Sequence, residues 1–266
     1  MSGAMDIGYA DLLVATLLVV VAGAVSLGLR LGLGRRLALA SARTVVQLLL
    51  VGYVLQAVFD LGHAAAVLGM ALVMITAAAR AAVRRPSRTF GGAFVRAFAT
   101  LLLSGLAVTV TVTAVIIGTD PWYAPRYFIP LLGMILGNGL TGVALGLDTL
   151  LAGLAERRHL VEADLALGAT AWQAARPQAQ EAVRRGMIPI INTMMVVGIV
   201  SLPGMMTGQI LAGADPAEAV KYQIVVMFMV AAATSLGTIG VVMLAVRRLF
   251  TAHHQLDIDA VRSQDS

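Results

Sequence analysis

The side chains of this sequence that are best suited to chemistry lie around Pro203. Met205, Met206 and Gln209 follow it directly, and Asn192 lies a few helical turns before it. Thioether sulfurs are soft ligands that suit a metal ion such as copper(I), and an amide oxygen can complete such a site. Methionine also fills irregular gaps in packed cores, so the same residues are compatible with ordinary packing. We therefore treat them as a candidate metal or substrate site and keep packing as the alternative.

Two charged residues fall inside apolar stretches of the sequence, where an unpaired charge is costly. Arg43 shares a helical face with Gln47, which is four positions further on, and Asp148 falls at a similar depth in a later apolar stretch. Either the long side chain of Arg43 reaches the membrane surface, or Arg43 turns inward and pairs with Asp148.

No catalytic constellation accompanies these residues. The sequence has no cysteine, and its four histidines lie in loops or near the C-terminus. It contains neither G-x-S-x-G nor H-E-x-x-H, and no G-x-x-x-x-G-K-[ST] phosphate loop. We therefore do not expect an enzyme, and we do not expect the chain to drive transport by hydrolysing ATP itself.

The elements that position the candidate site are predicted to be membrane-spanning helices. The sequence is 59% hydrophobic and 12% charged, whereas about a quarter of the residues of a soluble domain are charged. We predict one all-α integral membrane domain over residues 1–266. Windows of about 19 residues indicate seven spans: Tyr9–Leu29, Leu37–Phe59, Ala64–Val83, Ala93–Ile117, Arg126–Leu151, Met187–Ala212 and Ala219–Val246.

The arginines predict the orientation of these spans. Sixteen of them lie in alternate loops and in the C-terminal tail, and only Arg126 and Lys221 lie in the opposite loops. By the positive-inside rule the sixteen are cytoplasmic, so the N-terminus is outside and the C-terminus is cytoplasmic. The basic charge is explained by topology in a bacterial inner membrane, and no nucleic-acid partner is expected.

One long polar segment, residues 152–186, interrupts the apolar pattern between the fifth and sixth spans, and we call it the docking loop. It carries five arginines against four acidic residues, together with a helical thread of apolar residues. A mixed-charge segment with an apolar stripe, held between spans, is suited to lie at the surface and contact a partner.

Two helices are predicted within the docking loop. An E-A-x-x-x-x-G pattern begins at Glu162, and Gly168 is expected to end the first helix. Thr170 and Gln173 form a capping-box pattern that begins the second helix, which Pro177 is expected to interrupt.

The spans on either side of the docking loop are unusual. The fifth contains Gly133/Gly137 and Gly142/Gly146, which are pairs of small residues that permit close helix contact. Such pairs are compatible with packing inside the bundle, with a subunit interface or with a pathway. The sixth, residues 187–213, is expected to break at Pro203, or to end near Leu202 and be followed by a short second helix.

The segment LPGMMTGQILAG at Leu202–Gly213 carries the most specific signal. It is accompanied by Asp215-Pro216, Tyr222-Gln223-Ile224 and Met227-Phe228, by Glu162 with LALGAT, by Arg184, Pro189 and Asn192, and by Arg43 with Gln47-Leu48. These residues extend over essentially the whole chain. They resemble the signature of the FetB-type permease family, bacterial iron exporters with relatives in plant aluminium tolerance.

The resemblance implies a permease that dimerises, pairs with a separate ATP-binding subunit and exports iron or another metal ion. The docking loop is similar to the coupling segment of ABC-transporter permeases, so ATP is expected to be used by the partner and no cofactor by this chain. The residues expected to dock are Glu162, Asp164, Leu165 and Gly168. The residues expected to line the pathway are Asn192, Pro203, Met205, Met206 and Gln209, with the last three as candidate ligands of Fe(II) in transit.

Two alternatives stay open at this point. In the first, the permease architecture holds but the cargo is a lipid-like or sugar-nucleotide molecule. A mostly apolar cavity that opens sideways to lipid would favour that cargo over a metal. In the second, the protein is an ATP-independent channel or a membrane scaffold.

Overall fold

The computed structural model describes residues 8–251 and 253–264, and most of them are helical. The helices are α1 (Tyr9–Gly28), α2 (Gly34–Leu61), α3 (Ala64–Arg84), α4 (Ala93–Thr111), α5 (Pro125–Glu156), α6 (Arg158–Ala166), α7 (Ala171–Val196), α8 (Gly204–Leu211) and α9 (Pro216–Leu249). A π-helical segment, Val112–Ile117, extends α4, and a 3-10 turn covers Ile258–Ala260. Two short strands, β1 (Arg88–Phe90) and β2 (Val261–Ser263), complete the described chain.

Six of these helices are long and apolar enough to cross a membrane: α1, α2, α3, α4 with its π-helical extension, α5 and α9. They correspond to six of the seven predicted spans, and the predicted membrane-protein class is confirmed. The remaining predicted span, Met187–Ala212, is broken as expected. Its first helix ends at Val196, six residues earlier than Leu202, and α8 begins at Gly204.

The prediction that Pro177 interrupts the second helix of the docking loop is wrong. Helix α7 runs unbroken through Pro177 and Pro189. Proline in a helix removes one backbone hydrogen bond, but Pro177 is exposed, so water can satisfy the freed carbonyl. The predicted capping box at Thr170 and Gln173 is present, and a buried alanine face on α7 packs against α5. Packing and capping therefore outweigh the local cost of the prolines.

Helix α5 is the centre of the bundle and packs against α3, α7 and α9. Its largest buried side chains, all essentially inaccessible, are Phe128, Leu132, Ile135, Leu147, Leu150, Leu151 and Leu154. Helices α1 and α2 pack mainly against each other and leave most of their apolar side chains exposed. In a membrane those exposed faces meet lipid or another protein chain.

A close contact between three helices joins Gly142 of α5, Gly186 of α7 and Thr238 of α9. A Cβ atom added at Gly186 would lie 2.7 Å from the Gly142 carbonyl oxygen and 2.6 Å from Thr238 Cγ2. Only glycine fits at this crossing. Gly142 and Gly146 therefore serve packing inside the bundle, whereas a Cβ at Gly137 would meet no heavy atom of the described chain within 4 Å apart from the backbone of its own helix.

The C-terminal segment folds back onto the bundle, which the sequence did not predict. Strand β2 pairs antiparallel with β1, which follows α3. The Gln264 side chain donates to the Val83 carbonyl oxygen (3.0 Å), and the Asp257 amide donates to the Leu249 carbonyl oxygen (2.8 Å). These bonds hold the tail beside the ends of α3 and α9.

Candidate functional site

The helix α6 divides the apolar residues of the docking loop between two faces. Val161 is buried, and Leu165, one turn later, packs against the main core. Leu160 and Leu167 project outward, and the Leu167 side chain is 87% exposed. Trp172, at the start of α7, is also exposed. The large apolar residues of the docking loop that are exposed are thus Leu160, Leu167 and Trp172. The other apolar residues of its helical stripe face the bundle.

The predicted docking residues lie around this helix. Glu162 is exposed and accepts a hydrogen bond from Arg158 (Nε to Oε1, 2.7 Å), which raises the pKa of Arg158 above its ordinary value. Asp164 is exposed as well. Gly168 has φ +93°, a left-handed conformation that suits glycine, and the helix ends just before it as predicted.

A groove of about 480 Å³ runs between α6 and the C-terminal segment. Glu162 and Leu165 line one side, and His253 to Leu256 line the other. The groove is held together partly by His254, whose Nδ1 accepts a hydrogen bond from the Ala171 amide (3.2 Å). The tail therefore forms part of the surface that α6 presents.

Helix α7 connects the docking loop to the broken sixth span without interruption. It has 26 residues, which correspond to about 39 Å at 1.5 Å per residue. In its polar half, Arg185 donates to Glu181 (2.8 Å) and holds the pKa of Glu181 below its ordinary value. Gly186 lies at the close crossing described above, near the point where the polar half gives way to the apolar half.

The break between α7 and α8 covers residues 197–203. The Val196 carbonyl oxygen accepts from the Val200 amide (2.9 Å), and Gly198 has φ +83°. In the described residues no backbone amide reaches the carbonyl oxygens of Gly198, Ile199 and Val200. Ile199 is 88% exposed. Unpaired carbonyl groups are too costly to face hydrocarbon, so this segment must face water or protein.

A cavity of about 420 Å³ lies between the break, α8 and α9, and we call it the methionine cavity. It is lined by Met194, Val197, Gly198, Leu202, Met206, Val220, Gln223, Ile224, Met227 and Phe228. Among these lining residues, Gln223 is the one with a polar side chain. It is 6% exposed, and its Oε1 atom is buried without a hydrogen-bond partner in the part of the chain that the structure describes.

The predicted pathway residues are only partly brought together. Met206 lines the methionine cavity, whereas Met205 packs against the smaller apolar core. Pro203 is the N-cap of α8, and Asn192 is exposed. The Gln209 Oε1 atom is buried and unpartnered among the described residues, but Gln209 does not line the cavity.

Three residues of the methionine cavity were not proposed as ligands from the sequence. Gln223 and Met227 are four positions apart on α9 and so share one helical face. Met194 lies in the last turn of α7. The spacing on α9 was a detectable signal, but the sequence did not reveal which span faces the break.

Ligands for a hard metal ion are not clustered in this fold. Among residues 8–251 and 253–264 no group of three or more His, Asp or Glu side chains could hold a metal ion.

The hypothesis that Arg43 pairs with Asp148 is not supported. Asp148 Oδ1 accepts hydrogen bonds from the amide and the hydroxyl of Ser87 (2.8 and 2.9 Å), and Arg43 is exposed on α2. Within the described ranges no ion pair joins the two charges. The carboxylate instead fixes the segment after α3 to α5.

We expect that Asp148→Ala lowers the stability of the protein because two hydrogen bonds to a carboxylate are lost together. Hydrogen bonds to charged groups contribute about 1.5–3 kcal/mol. Thermal unfolding in detergent, followed by circular dichroism, measures this loss, and Ser87→Ala should reproduce part of it. Arg43→Ala is the control and should change little. A loss in Arg43→Ala as large as that in Asp148→Ala would contradict this assignment.

Residues 9–250 match one protein family, which is described as "Uncharacterised protein family (UPF0014)". A UPF0014 membrane protein of Synechocystis sp. is 41% identical over 231 residues, which are 85% of this chain and 87% of that protein. The Escherichia coli protein named "Probable iron export permease protein FetB" is 35% identical over 96% of each chain. The UPF0014 membrane protein STAR2 of Oryza sativa is 36% identical over 97% of this chain and 89% of that protein. No solved structure matches the chain.

Proposed function

This chain belongs to the UPF0014 family of membrane proteins, and we propose that it is the permease subunit of an ATP-driven transporter that exports a metal ion. The observation that carries this proposal is the continuity of α7. One helix begins at the surface-exposed docking loop, crosses α5 and α9 at Gly186, and ends with Met194 in the wall of the methionine cavity. A force applied to the docking loop is thereby transmitted to the cavity.

The docking loop supplies the contact with a separate ATP-binding subunit. Leu167 and Trp172 are exposed apolar side chains of the kind that form the centre of a protein interface, and Glu162 and Asp164 lie beside them. We propose that this surface, on the cytoplasmic side, receives the partner. ATP binding and hydrolysis belong to that partner, and this chain contributes no catalytic group.

Closure of two ATP-binding subunits would then move two docking loops together. The rigid contact at Gly186 makes the crossing a fulcrum, so that movement of the polar half of α7 displaces the last turn of α7 and the break after it. A second copy of this chain fits the same scheme. It would serve as a protein neighbour for the exposed carbonyl groups of residues 198–200, which need water or protein beside them.

The cargo is proposed from the Escherichia coli relative, whose name describes iron export. The chemistry of the methionine cavity is compatible with a transition metal because three thioethers and one amide line it. A metal ion is therefore the first candidate for the exported substrate.

A lipid-like molecule is the second candidate, and the largely apolar lining of the methionine cavity is compatible with it. Apart from Gln223 the side chains that line the described cavity are apolar. Sites for amphiphilic molecules have this character, with a mostly apolar wall and a few polar groups that orient the ligand.

ATP hydrolysis by the assembled complex tests the proposal. The chain is expressed together with a candidate ATP-binding subunit, purified and placed in lipid nanodiscs. We expect a stable complex whose hydrolysis rate rises on addition of Fe(II) under anaerobic conditions. Addition of a single-chain amphiphile in place of Fe(II) tests the second candidate.

Each outcome of this experiment decides between the alternatives. Stimulation by Fe(II) supports metal export, and stimulation by the amphiphile alone moves the cargo to the lipid-like class. Failure of the two chains to form a complex contradicts the proposed coupling and favours an ATP-independent channel or scaffold.

A further inference from the structure

The methionine cavity combines two features that together suit a bound cation. Met194, Met206 and Met227 converge on it from α7, α8 and α9, three separate helices. The amide of Gln223 is among them, with its Oε1 atom buried and without a partner in the described chain. Purely apolar packing would leave that oxygen without a partner, whereas a bound cation would be coordinated by it.

The donor atoms determine which cation fits. Thioether sulfurs favour soft and borderline transition-metal ions, whereas Mg²⁺ and Ca²⁺ require several hard oxygen ligands. The residues that line the described cavity include no carboxylate that could neutralise a bound ion. A low ionic charge is therefore favoured, because charge is costly in an apolar cavity.

We propose that the methionine cavity is a binding site for a soft, low-charge transition-metal cation, held by the thioethers of Met194, Met206 and Met227 and the Oε1 atom of Gln223. This inference rests on the proposed function and names the metal site of the exporter. The site prefers a monovalent copper-like ion, accepts Fe(II) more weakly and rejects Mg²⁺ and Ca²⁺. It replaces the set predicted from the sequence, of which only Met206 lines the cavity.

The position of the site suits it to transport. Met194 belongs to the last turn of α7, Met206 to α8 and Met227 to α9, so the three sulfurs are carried by elements on both sides of the break. Any displacement of α7 relative to α9 changes the distances among the ligands. The affinity of the site is thereby coupled to the position of α7, and an ion bound in one arrangement is released in another.

Metal binding by the full chain alone, in nanodiscs and without an ATP-binding subunit, tests this proposal. Silver(I) in a chloride-free buffer serves as an air-stable soft monovalent probe, measured by isothermal titration calorimetry. Millimolar Mg²⁺ is added as a competitor, and anaerobic Fe(II) is titrated in a separate experiment because Fe(II) would reduce silver(I). We expect one silver site per chain whose affinity Mg²⁺ leaves unchanged, and weaker binding of Fe(II).

Four substitutions locate the site. Met194→Leu, Met206→Leu and Met227→Leu keep the apolar volume and remove the sulfur, so each should weaken silver binding at least tenfold. The matched control is Met195→Leu: Met195 is the chain neighbour of Met194, is 74% exposed and does not line the cavity. It should stay within twofold of the original affinity.

Gln223→Leu distinguishes a metal-binding role of Gln223 from a purely structural role. It should weaken silver binding, and it should also raise the thermal unfolding temperature of the metal-free protein, because an unpartnered buried amide is replaced by an apolar side chain of similar length. A purely structural glutamine would give the opposite change in unfolding temperature.

Three results would overturn the inference: equal silver affinity in all the cavity variants, equal loss in Met195→Leu and Met194→Leu, or competition by millimolar Mg²⁺. A fluorescent fatty-acid probe is titrated in parallel. If Gln223→Leu abolishes binding of that probe and leaves silver binding intact, the cavity takes an amphiphile instead. Because these titrations need no ATP-binding subunit, they can fail while the complex still forms and hydrolyses ATP, and they can succeed when no complex forms.

Discussion

Gly186→Ala should destabilise the protein and abolish transport. The added Cβ would lie 2.7 Å from a backbone oxygen of α5, which cannot rotate away as a side chain does, so α7 must move off α5 or α9. Overpacking of this kind costs about 1–3 kcal/mol. We expect a lower thermal unfolding temperature in detergent, and the loss of substrate-dependent ATP hydrolysis even where the complex with the ATP-binding subunit survives.

The matched control for this prediction is Gly137→Ala in α5. A Cβ at Gly137 meets no heavy atom of the described chain within 4 Å apart from the backbone of its own helix, so the substitution should leave stability unchanged or raise it slightly through better helix propensity. Thr238→Ser removes the Cγ2 methyl group and should restore only part of the stability of Gly186→Ala, because the Gly142 carbonyl remains in place. Equal stability of the alanine variants at positions 137 and 186 would contradict the assigned crossing.

The sequence was sufficient to predict the helical membrane class, six long spans and the existence of a break near Pro203. These features follow from hydropathy and from local backbone chemistry, which neighbouring residues determine. The sequence was insufficient to place the end of α7 at Val196 or to keep α7 intact at Pro177. Tertiary packing of the alanine face against α5 keeps α7 intact at Pro177, and no local pattern contains that information.

The candidate site was predicted less completely than the fold, and for a physical reason. Met205, Met206 and Gln209 were grouped because they are close in sequence, but the chain neighbours Met205 and Met206 lie on different faces of α8. Met206 meets Met194 and Gln223 through contacts between three helices. The Asp148 carboxylate likewise accepts hydrogen bonds from Ser87, a residue distant in sequence, and does not pair with Arg43.

Leu167→Arg should strongly weaken the complex with the ATP-binding subunit while leaving the fold of this chain intact. Leu167 is exposed and packs against little in its own bundle, so its substitution costs almost no stability. Truncating or charging a central apolar residue of a protein interface costs about 2 kcal/mol or more, which corresponds to an affinity loss of roughly 30-fold. Co-purification in detergent and the ATP hydrolysis rate of the reconstituted complex measure that loss.

Two controls show whether this surface is specific. Leu165→Ala, in the same docking loop, removes a side chain that packs against the core, so it should lower the unfolding temperature more than it weakens the complex. Leu31→Arg, at an exposed leucine between α1 and α2, introduces the same charge away from the docking loop and should leave the complex intact. If Leu31→Arg and Leu167→Arg weakened the complex equally, added charge alone would explain the effect. The partner would then not bind at α6, and α7 would no longer connect the site of ATP hydrolysis to the methionine cavity.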